Sequence, residues 1–205
     1  MDQQKETQPI QRRARGVQRI TSILNAAETV FTEMGYDEAT TNHIAARDGI
    51  SPASLYQFFS NKEEIVQALA ARYTEELQGV YDSVFSMEVA SLPLSHWLDQ
   101  IIDGLVAFHL AHPAFLLLFS RNAPLSQYSS LAHALQQEVQ TRFEVGFQRR
   151  APNLSSPQRI LSATISVQLF KALLPLLLEA EGEKRRLLMG ELKTALQRYL
   201  EPLLG

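Results

Sequence analysis

The chain has 205 residues, which is enough for one large domain or two small ones. Hydrophobic residues make up 45% of it, so a core of ordinary size can form. The formal net charge of -3 at pH 7 excludes nucleic-acid binding through bulk positive charge, and any DNA contact must come from a local basic patch. The absence of cysteine excludes disulfides, thiolate zinc sites and cysteine nucleophiles.

No segment has the pattern of a targeting or membrane sequence. Residues 1–11 are polar and hold no apolar run of the kind that a signal peptide needs. The most apolar stretch, residues 169–178, contains Lys171 and Pro175 and is too short to cross a bilayer. We therefore expect a cytoplasmic protein that does not contact a membrane.

The apolar residues recur at helical period along nearly the whole chain, and proline and glycine separate the segments. The pattern predicts an all-α fold of about nine helices, at roughly residues 17–34, 41–48, 52–58, 61–85, 94–110, 113–121, 125–149, 157–179 and 183–203. The first three helices are short and the later ones long. We therefore predict an N-terminal unit of residues 1–60 and a larger helical body of residues 61–205.

The first predicted helix has one continuous apolar stripe. Its members are spaced three and four residues apart, and they are Ile20, Ile23, Leu24, Ala27, Val30, Phe31 and Met34. Glu28 and Glu33 are expected to face solvent. Gly35 follows the stripe, where a helix end favours a left-handed residue.

The next two helices are joined by a tight turn. Thr41 is predicted to cap the second helix and Gly49 to end it. Ser51 then caps a third helix whose first residue is Pro52, a position where the missing N–H costs nothing. A helix, a glycine turn and a short second helix form the helix-turn-helix arrangement, which places its second helix in the major groove of DNA.

The exposed side of the third helix has the chemistry of a base reader. Gln57 can form two hydrogen bonds with adenine, and Ala53 can touch a thymine methyl group. The hydroxyl groups of Thr41 and Ser51, at helix N-termini, suit phosphate oxygens, and Tyr56 and Lys62 are expected to add backbone contacts. From spacing alone, a helical hairpin with ordinary caps remains an equal alternative.

A basic stretch precedes this unit. Residues 7–27 contain no acidic residue and hold Arg12, Arg13, Arg15 and Arg19. We expect Arg12, Arg13 and Arg15 to form an arm that reaches phosphate groups or the minor groove.

The segment 23–69 resembles the DNA-binding domain of the TetR family of transcriptional regulators. The matching residues are Ala26, Ala27 and Phe31, Gly35-Tyr36, Thr40-Thr41, Ile44-Ala45, Gly49-Ile50-Ser51, Leu55-Tyr56 with Phe59, and Asn61-Lys62-Glu63. The resemblance covers roughly the first third of the chain, and the combination of its motifs is specific.

The resemblance implies a three-helix DNA-binding domain followed by a variable domain for ligand binding and dimerisation. It implies a repressor that binds a palindromic operator and leaves it when a small molecule binds. The family's DNA contacts carry over to Thr41, Pro52, Ala53, Tyr56, Gln57 and Lys62. One departure is that no basic residue or histidine lies on the recognition helix before Lys62, and the arginine arm is expected to supply that charge.

The last two predicted helices are expected to form the interface of a homodimer. Residues 157–179 are apolar on two faces, with Ile160, Val167 and Leu174 on one and Leu161, Ile165, Leu169, Leu173 and Leu176 on the other. The last helix has a stripe of Leu188, Leu192, Leu196, Tyr199 and Leu203. Two such helices from each protomer would make a four-helix interface, and its two-fold axis would match a palindrome. A monomer core is the alternative.

The middle of the body is rich in aromatic residues, which suits an apolar pocket with a few polar anchors. We expect Trp97, Phe108, Phe119, Phe147 and Gln168 to bind a small hydrophobic or aromatic effector, although aromatic residues at helical spacing are more often plain core. His109 and His112, three residues apart, suit a metal poorly because no cysteine and no carboxylate lie on the same turn.

The long helix that starts near Asn61 is expected to transmit ligand binding to the reading unit, since its tilt would set the spacing of the two recognition helices in a dimer. An alternative function is a helical small-molecule or lipid-binding protein without sequence-specific DNA binding. The chain has no phosphate loop, nucleophile elbow or metal cluster, so we expect neither an enzyme nor a cofactor.

Overall fold

A computed structural model describes residues 7–119 and 129–204, with side chains from residue 14 to 119 and from 133 to 204. The described residues contain ten helices and no strand, which confirms the all-α prediction. The helices are α1 (Thr7–Glu38), α2 (Thr41–Asp48), α3 (Pro52–Tyr56), α4 (Lys62–Val84), α5 (Met87–Ala90), α6 (Leu94–Ala111), α7 (Ala114–Phe119), α8 (Ser129–Arg150), α9 (Ser156–Glu179) and α10 (Gly182–Leu204).

The helix bounds differ from the predicted ones mainly at α1, α3 and α5, and α3 ends at Tyr56 rather than at residue 58. α1 begins at Thr7 rather than near residue 17, because glutamine and arginine extend a helix well without an apolar stripe to mark it. The four-residue α5 was not predicted, since one turn is too short to show periodicity. The predicted ends at residues 121 and 125 lie outside the described residues.

The α1 helix has the predicted break and most of the predicted apolar stripe. α1 is broken at Gly35, whose φ of 78° and ψ of 169° are not helical, so the predicted stop after Met34 is in the right place. Of the predicted stripe, Ile23, Leu24, Ala27, Val30 and Phe31 are buried, whereas Ile20 and Met34 are 38% and 41% exposed. The stripe is therefore correct in its middle and overextended at both ends.

The chain divides into two compact units. The first consists of Met1–Tyr73 with Pro113–Leu125, and the second of Thr74–His112 with Ser126–Gly205. In the first unit, α7 packs against α1, and Tyr73 of α4 lies edge-on to Phe115 and Phe119, with ring centroids 5.6 and 5.9 Å apart. The domain boundary at residue 60 stays a prediction.

The second unit is built on α6, α8, α9 and α10. Its core contains the chain's single tryptophan, Trp97, which is fully buried, and a group of rings packs edge-on around it. These rings are Phe85, Phe143 and Phe147, with centroids 6.2, 6.1 and 6.0 Å from that of Trp97. Burial of such rings contributes a large apolar area to the core of this unit.

The α9 helix is only partly covered within one protomer. Val167 and Leu174 are buried, whereas Leu161 and Leu176 are 59% and 50% exposed. Among the described residues, α9 is the one helix with the length and apolar composition of a membrane span, and 39% of its most apolar window is buried. A partly covered helix with one apolar face exposed also has the character of a subunit interface.

Candidate nucleic-acid interface and ligand groove

The turn between α2 and α3 is held by caps at both ends. Thr40, rather than the predicted Thr41, caps α2 and accepts a hydrogen bond from the backbone N–H of His43 at 3.2 Å. Gly49 ends α2 in the left-handed conformation with φ of 71°. Ser51 caps α3 and accepts a hydrogen bond from the backbone N–H of Ser54 at 3.1 Å. The geometry of a helix-turn-helix is therefore present.

The α3 helix presents small and polar side chains to solvent. Pro52, Ala53 and Gln57 are exposed, and Leu55 is fully buried beneath them. Tyr56 is 51% exposed, and its hydroxyl group lies 3.0 Å from that of Thr41. The two hydroxyl groups thus form a pair across α2 and α3. The structure brings together five of the residues predicted to read DNA.

Lys62 is less accessible than predicted. Its ammonium group donates hydrogen bonds to the backbone carbonyl oxygens of Tyr36 and Ala39, at 2.6 and 2.8 Å. It also lies over the ring of Tyr36, 4.0 Å from the centroid. The predicted phosphate contact would have to use the one remaining N–H.

The predicted arginine arm is part of a helix. The backbone of α1 is helical from Thr7, so Arg12, Arg13 and Arg15 belong to α1, and the side chains of Arg12 and Arg13 lie outside the described residues. Arg15 is exposed and, with Arg19 and Phe58, lines a shallow groove on the first unit. Arg19 forms an ion pair with Asp48 at 3.4 Å.

The expectation that Glu28 faces solvent is wrong, because Glu28 is buried. It is 9% exposed and forms an ion pair with Arg72 of α4 at 2.6 Å, and Arg72 also donates to Asn25 at 2.7 Å. Glu28 lies four residues after Leu24 and three before Phe31, which places it at the edge of the apolar stripe. That spacing was the available signal for its burial.

Of the five predicted effector contacts, one lies in the first unit and four lie in the second. Trp97 and Phe147 lie together in the buried ring cluster, and Phe108 lies against His112, with centroids 4.9 Å apart. Phe119 belongs to the first unit, where it packs on Tyr73. Gln168 is exposed on α9. Of this set, only Phe108 lines the groove described next, and a pocket made by all five stays a prediction.

A groove of about 730 Å³ runs between α4 and α6 in the second unit. Its lining includes small residues and a phenyl ring, namely Gly79, Val80, Gly104, Ala107 and Phe108. The helices approach closely at Gly104, because a Cβ atom there would lie 2.9 Å from Cγ1 of Val84. The volume lies within the range of small-molecule sites.

The rim of this groove is acidic. Asp99 and Asp103 both form ion pairs with Lys193 of α10, at 3.1 and 2.7 Å. At the other end, Nε2 of His112 lies 2.5 Å from a carboxylate oxygen of Glu76. Three carboxylates, those of Glu76, Asp99 and Asp103, therefore line the groove, which disfavours an anionic ligand.

His109 lies within α6, and His112 follows the last residue of that helix. His109 is 8% exposed and packs near the rings of Phe108 and Phe170, with centroids 5.4 and 6.3 Å away. Burial, together with repulsion from His112, lowers the pKa of His109 to about 4. No group of three metal-binding side chains occurs among the residues that the structure describes.

The pKa of His109 predicts a pH dependence of stability. The unfolded chain, with a pKa near 6.5, binds more protons than the folded chain between pH 6.5 and 4, so the free energy of unfolding falls as the pH is lowered through this window. The loss between pH 7 and 5 should be about 2 kcal/mol. Urea denaturation at both pH values should show this loss in the wild type and not in His109→Gln. His133→Gln, at an exposed position, should behave as the wild type does; an equal loss in all three proteins would contradict the assignment.

Two family models match the chain. Residues 23–69 match the model described as bacterial regulatory proteins of the tetR family. Residues 93–200, more than half of the chain, match the model described as a tetracyclin repressor-like C-terminal domain. The two matches fall on the helix-turn-helix and on the helical body, respectively.

The individual relatives include HTH-type transcriptional regulators and a receptor protein. The chain is 31% identical to the HTH-type transcriptional regulator UidR of Escherichia coli K12, over 46% of this chain and 44% of UidR, so it spans less than half of that protein. It is 36% identical to the A-factor receptor protein of Streptomyces griseus over 49% of this chain and 33% of the receptor. It is 24% identical to the uncharacterized regulator YhgD of Bacillus subtilis over 74% and 80% of the two chains.

Solved structures show the same fold. A TetR-like transcriptional regulator from Rhodococcus sp. RHA1 superposes with a TM-score of 0.70 at 20% identity, over 88% of this chain and 94% of the other. A transcriptional regulator from Aquifex aeolicus superposes with a TM-score of 0.66 at 18% identity, over 87% and 98%. At these identities the likeness establishes the fold.

Proposed function

Because the chain belongs to the TetR family of bacterial transcriptional regulators, we propose that it binds a palindromic DNA operator as a homodimer and leaves it when a small molecule binds. The family consists of transcriptional regulators rather than enzymes. The observation that carries the proposal is the capped helix-turn-helix whose second helix presents Ala53 and Gln57 to solvent above the buried Leu55. A repressor in the cytoplasm, without a membrane partner, is the form of regulator that we propose.

Base recognition would be made by α3. Pro52 and Ala53 are small, so the start of the helix can approach the base edges closely. The carboxamide of Gln57 matches the donor and acceptor edge of adenine, and the methyl group of Ala53 matches that of thymine. The contacts of α3 therefore favour an operator half-site that contains A·T pairs.

Contacts to the DNA backbone would surround this helix. The hydroxyl groups of Thr41 and Tyr56, 3.0 Å apart, can bind one phosphate together, and Ser51 lies at the start of α3. Arg15 is exposed near the start of the described side chains of α1, in the segment without acidic residues. Positive charge on α1 would then replace the charge that α3 lacks.

The operator-binding form would be a dimer through α9 and α10. On α9 the residues Leu161, Ile165, Leu169 and Leu176 follow one another at helical spacing and are exposed or half-exposed, and Leu187 of α10 is 56% exposed. An apolar face of this length is typical of a surface that a second copy covers. The two-fold axis of such a dimer would match an inverted repeat.

Charges on this face should separate the protomers. We expect the double variant Leu161→Glu, Leu176→Glu to be a monomer, because dimerisation would bury two carboxylates without partners. Light scattering of the purified protein should give twice the chain mass for the wild type and the single chain mass for the variant. Leu110→Glu, which alters an exposed leucine of α6, should stay dimeric. A dimeric double variant would place the interface elsewhere.

The groove between α4 and α6 is our proposed effector site, with a small hydrophobic or aromatic compound as its ligand. Its support is the volume of about 730 Å³, the ring of Phe108 and the small residues of the lining. The α4 helix lines this groove and begins directly after the helix-turn-helix. A ligand that binds more tightly when α4 is in one position than in another would therefore change the affinity for the operator. The size of the change would equal the difference between the ligand's affinities for the DNA-binding and the non-binding positions of α4.

Capture of genomic fragments tests the proposed DNA recognition. Sheared genomic DNA from the source organism is passed over the immobilised wild type, Gln57→Ala and Gln148→Ala, and the retained fragments are sequenced. We expect the wild type and Gln148→Ala, an exposed position of the body, to retain the same few intergenic fragments. Gln57→Ala should lose them or retain a wider set, since one bidentate base contact gives about 1–3 kcal/mol of discrimination. Identical fragments from all three proteins would remove α3 as the reader.

A further inference from the structure

The connection between α1 and α2 is tied to α4 by a single side chain. Lys62 is the first residue of α4, and its Nζ atom donates to the carbonyl oxygens of Tyr36, at 2.6 Å, and Ala39, at 2.8 Å. The same Nζ lies 4.0 Å from the ring centroid of Tyr36, and the hydroxyl group of Tyr36 donates to Glu63 at 3.0 Å. Tyr36 itself is buried, with 9% of its surface exposed.

The acceptors of Lys62 lie in the short connection between the break of α1 at Gly35 and the cap of α2 at Thr40. Buried backbone carbonyl groups in such a connection require hydrogen-bond donors from elsewhere. Tyr36 follows the break at Gly35, and Ala39 follows the last residue of α1, Glu38. An ammonium group that serves both carbonyls satisfies two acceptors with charge-assisted hydrogen bonds.

These contacts leave Lys62 poorly suited to a phosphate. An ammonium group has three N–H donors, two of which are used here, and the Tyr36 ring lies against the same group. A shift toward DNA would break the hydrogen bonds from Lys62 to the carbonyl groups of Tyr36 and Ala39. The residues next to them are Thr40, the cap of α2, and Thr41, which pairs with Tyr56 of α3.

We propose that Lys62 is a positioning residue, which fixes the α1–α2 connection to the start of α4 and thereby orients α2 and α3, and that it is not a phosphate ligand. The inference rests on the proposed DNA-binding function. It separates Lys62 from the exposed residues Arg15 and Gln57, for which contact with DNA remains the proposed role.

Lys62→Arg and Lys62→Met distinguish the two roles. Arginine keeps the charge, and a phosphate contact would survive, but its planar guanidinium group cannot place one nitrogen between two carbonyls and over a ring. We expect each variant to lower the equilibrium constant of folding by about tenfold or more. That is the effect expected from the loss of one hydrogen bond to a charged group. Urea denaturation followed by circular dichroism measures this effect without DNA.

The salt dependence of operator binding supplies the second readout. A lost phosphate contact reduces the slope of log affinity against log salt concentration by about 0.9, hence by about 1.8 for a dimer. We expect both variants to weaken binding to the wild-type operator while the slope stays at the wild-type value. Wild-type affinity and stability in Lys62→Arg, or a reduced slope in Lys62→Met, would overturn the inference.

Failure of the proposed function would look different. If the wild type bound no duplex, the function would fail, and the denaturation of Lys62→Arg would still decide whether the side chain holds the helices together. If Lys62→Met did not fold, Lys62→Arg alone would decide, since retained stability contradicts positioning and lost stability supports it.

Discussion

Replacing Arg72 with methionine should destabilise the first unit by about 3 kcal/mol, one of the largest effects expected of a single substitution in this chain. Arg72 forms an ion pair with Glu28 at 2.6 Å, and the two side chains are 17% and 12% exposed. Methionine would leave the Glu28 carboxylate largely buried without its cation, and Asn25 would lose its donor. Loss of one partner of a buried pair is costly because the remaining charge keeps its desolvation penalty.

Urea denaturation followed by circular dichroism is the measurement for Arg72→Met. The single tryptophan, Trp97, lies in the second unit, so its fluorescence reports that unit separately. We expect part of the helix signal of Arg72→Met to be lost at a lower urea concentration than in the wild type. The midpoint of the tryptophan fluorescence transition should shift less. Arg186→Met removes the partner of the exposed Glu183 and should leave both transitions unchanged. If Arg72→Met and Arg186→Met had the same transition midpoints, the Glu28–Arg72 pair would contribute no more to stability than an exposed ion pair does.

Replacing Gly146 with alanine should destabilise the second unit by about 1–3 kcal/mol through overpacking. A Cβ atom at Gly146 would lie 2.6 and 2.7 Å from two carbon atoms of the Trp97 ring. Trp97 cannot move aside freely, since it is fully buried and the rings of Phe85, Phe143 and Phe147 surround it. Tryptophan fluorescence during urea denaturation reports this position directly.

The matched control for this variant is Gly79→Ala. Gly79 also lies within a helix, in the part of α4 that belongs to the second unit, but nothing lies within 4 Å of its added Cβ atom. Alanine there should raise stability by about 0.5–1 kcal/mol, because it restricts the unfolded chain and favours the helix. The two glycine substitutions should therefore have effects of opposite sign. If Gly146→Ala raised the free energy of unfolding instead, the core around Trp97 would be able to accommodate the added methyl group without destabilisation.

The helix-turn-helix could be predicted from the sequence because its determinants are local. Gly49, Ser51 and Pro52 act within a few residues of themselves, through a left-handed φ, a cap and a missing N–H. The family assignment from residues 23–69 is confirmed by the family model over the same residues. The cap at Thr40 instead of Thr41 is an error of one residue, which spacing cannot resolve between two adjacent threonines.

The ion pair and the lysine contacts could not be predicted, because their partners are far apart in sequence. Glu28 and Arg72 are 44 residues apart in the sequence, and Lys62 contacts Tyr36 and Ala39 across the same unit. A periodicity argument places a side chain on a face but does not identify what lies opposite that face.

The proposed effector groove could not be predicted from the sequence. Trp97 and Phe147, two of the predicted contacts, belong to a close-packed core, whereas the groove is lined by Gly79, Gly104 and Ala107. A groove arises where side chains are small, so the residues that create it carry little chemical signal in the sequence. Phe108 is the one predicted contact that lines it.

Selection of bound sequences from a pool of random duplexes, at near-physiological salt, tests the central claim most directly. The pool is incubated with the full chain, bound DNA is recovered over several rounds, and the enriched sequences are aligned. A dimer that reads DNA through α3 predicts an inverted repeat whose half-sites recur about one helical turn apart, or a multiple of it. A folded wild-type protein that enriches no motif would contradict sequence-specific DNA binding and favour a helical small-molecule-binding protein instead.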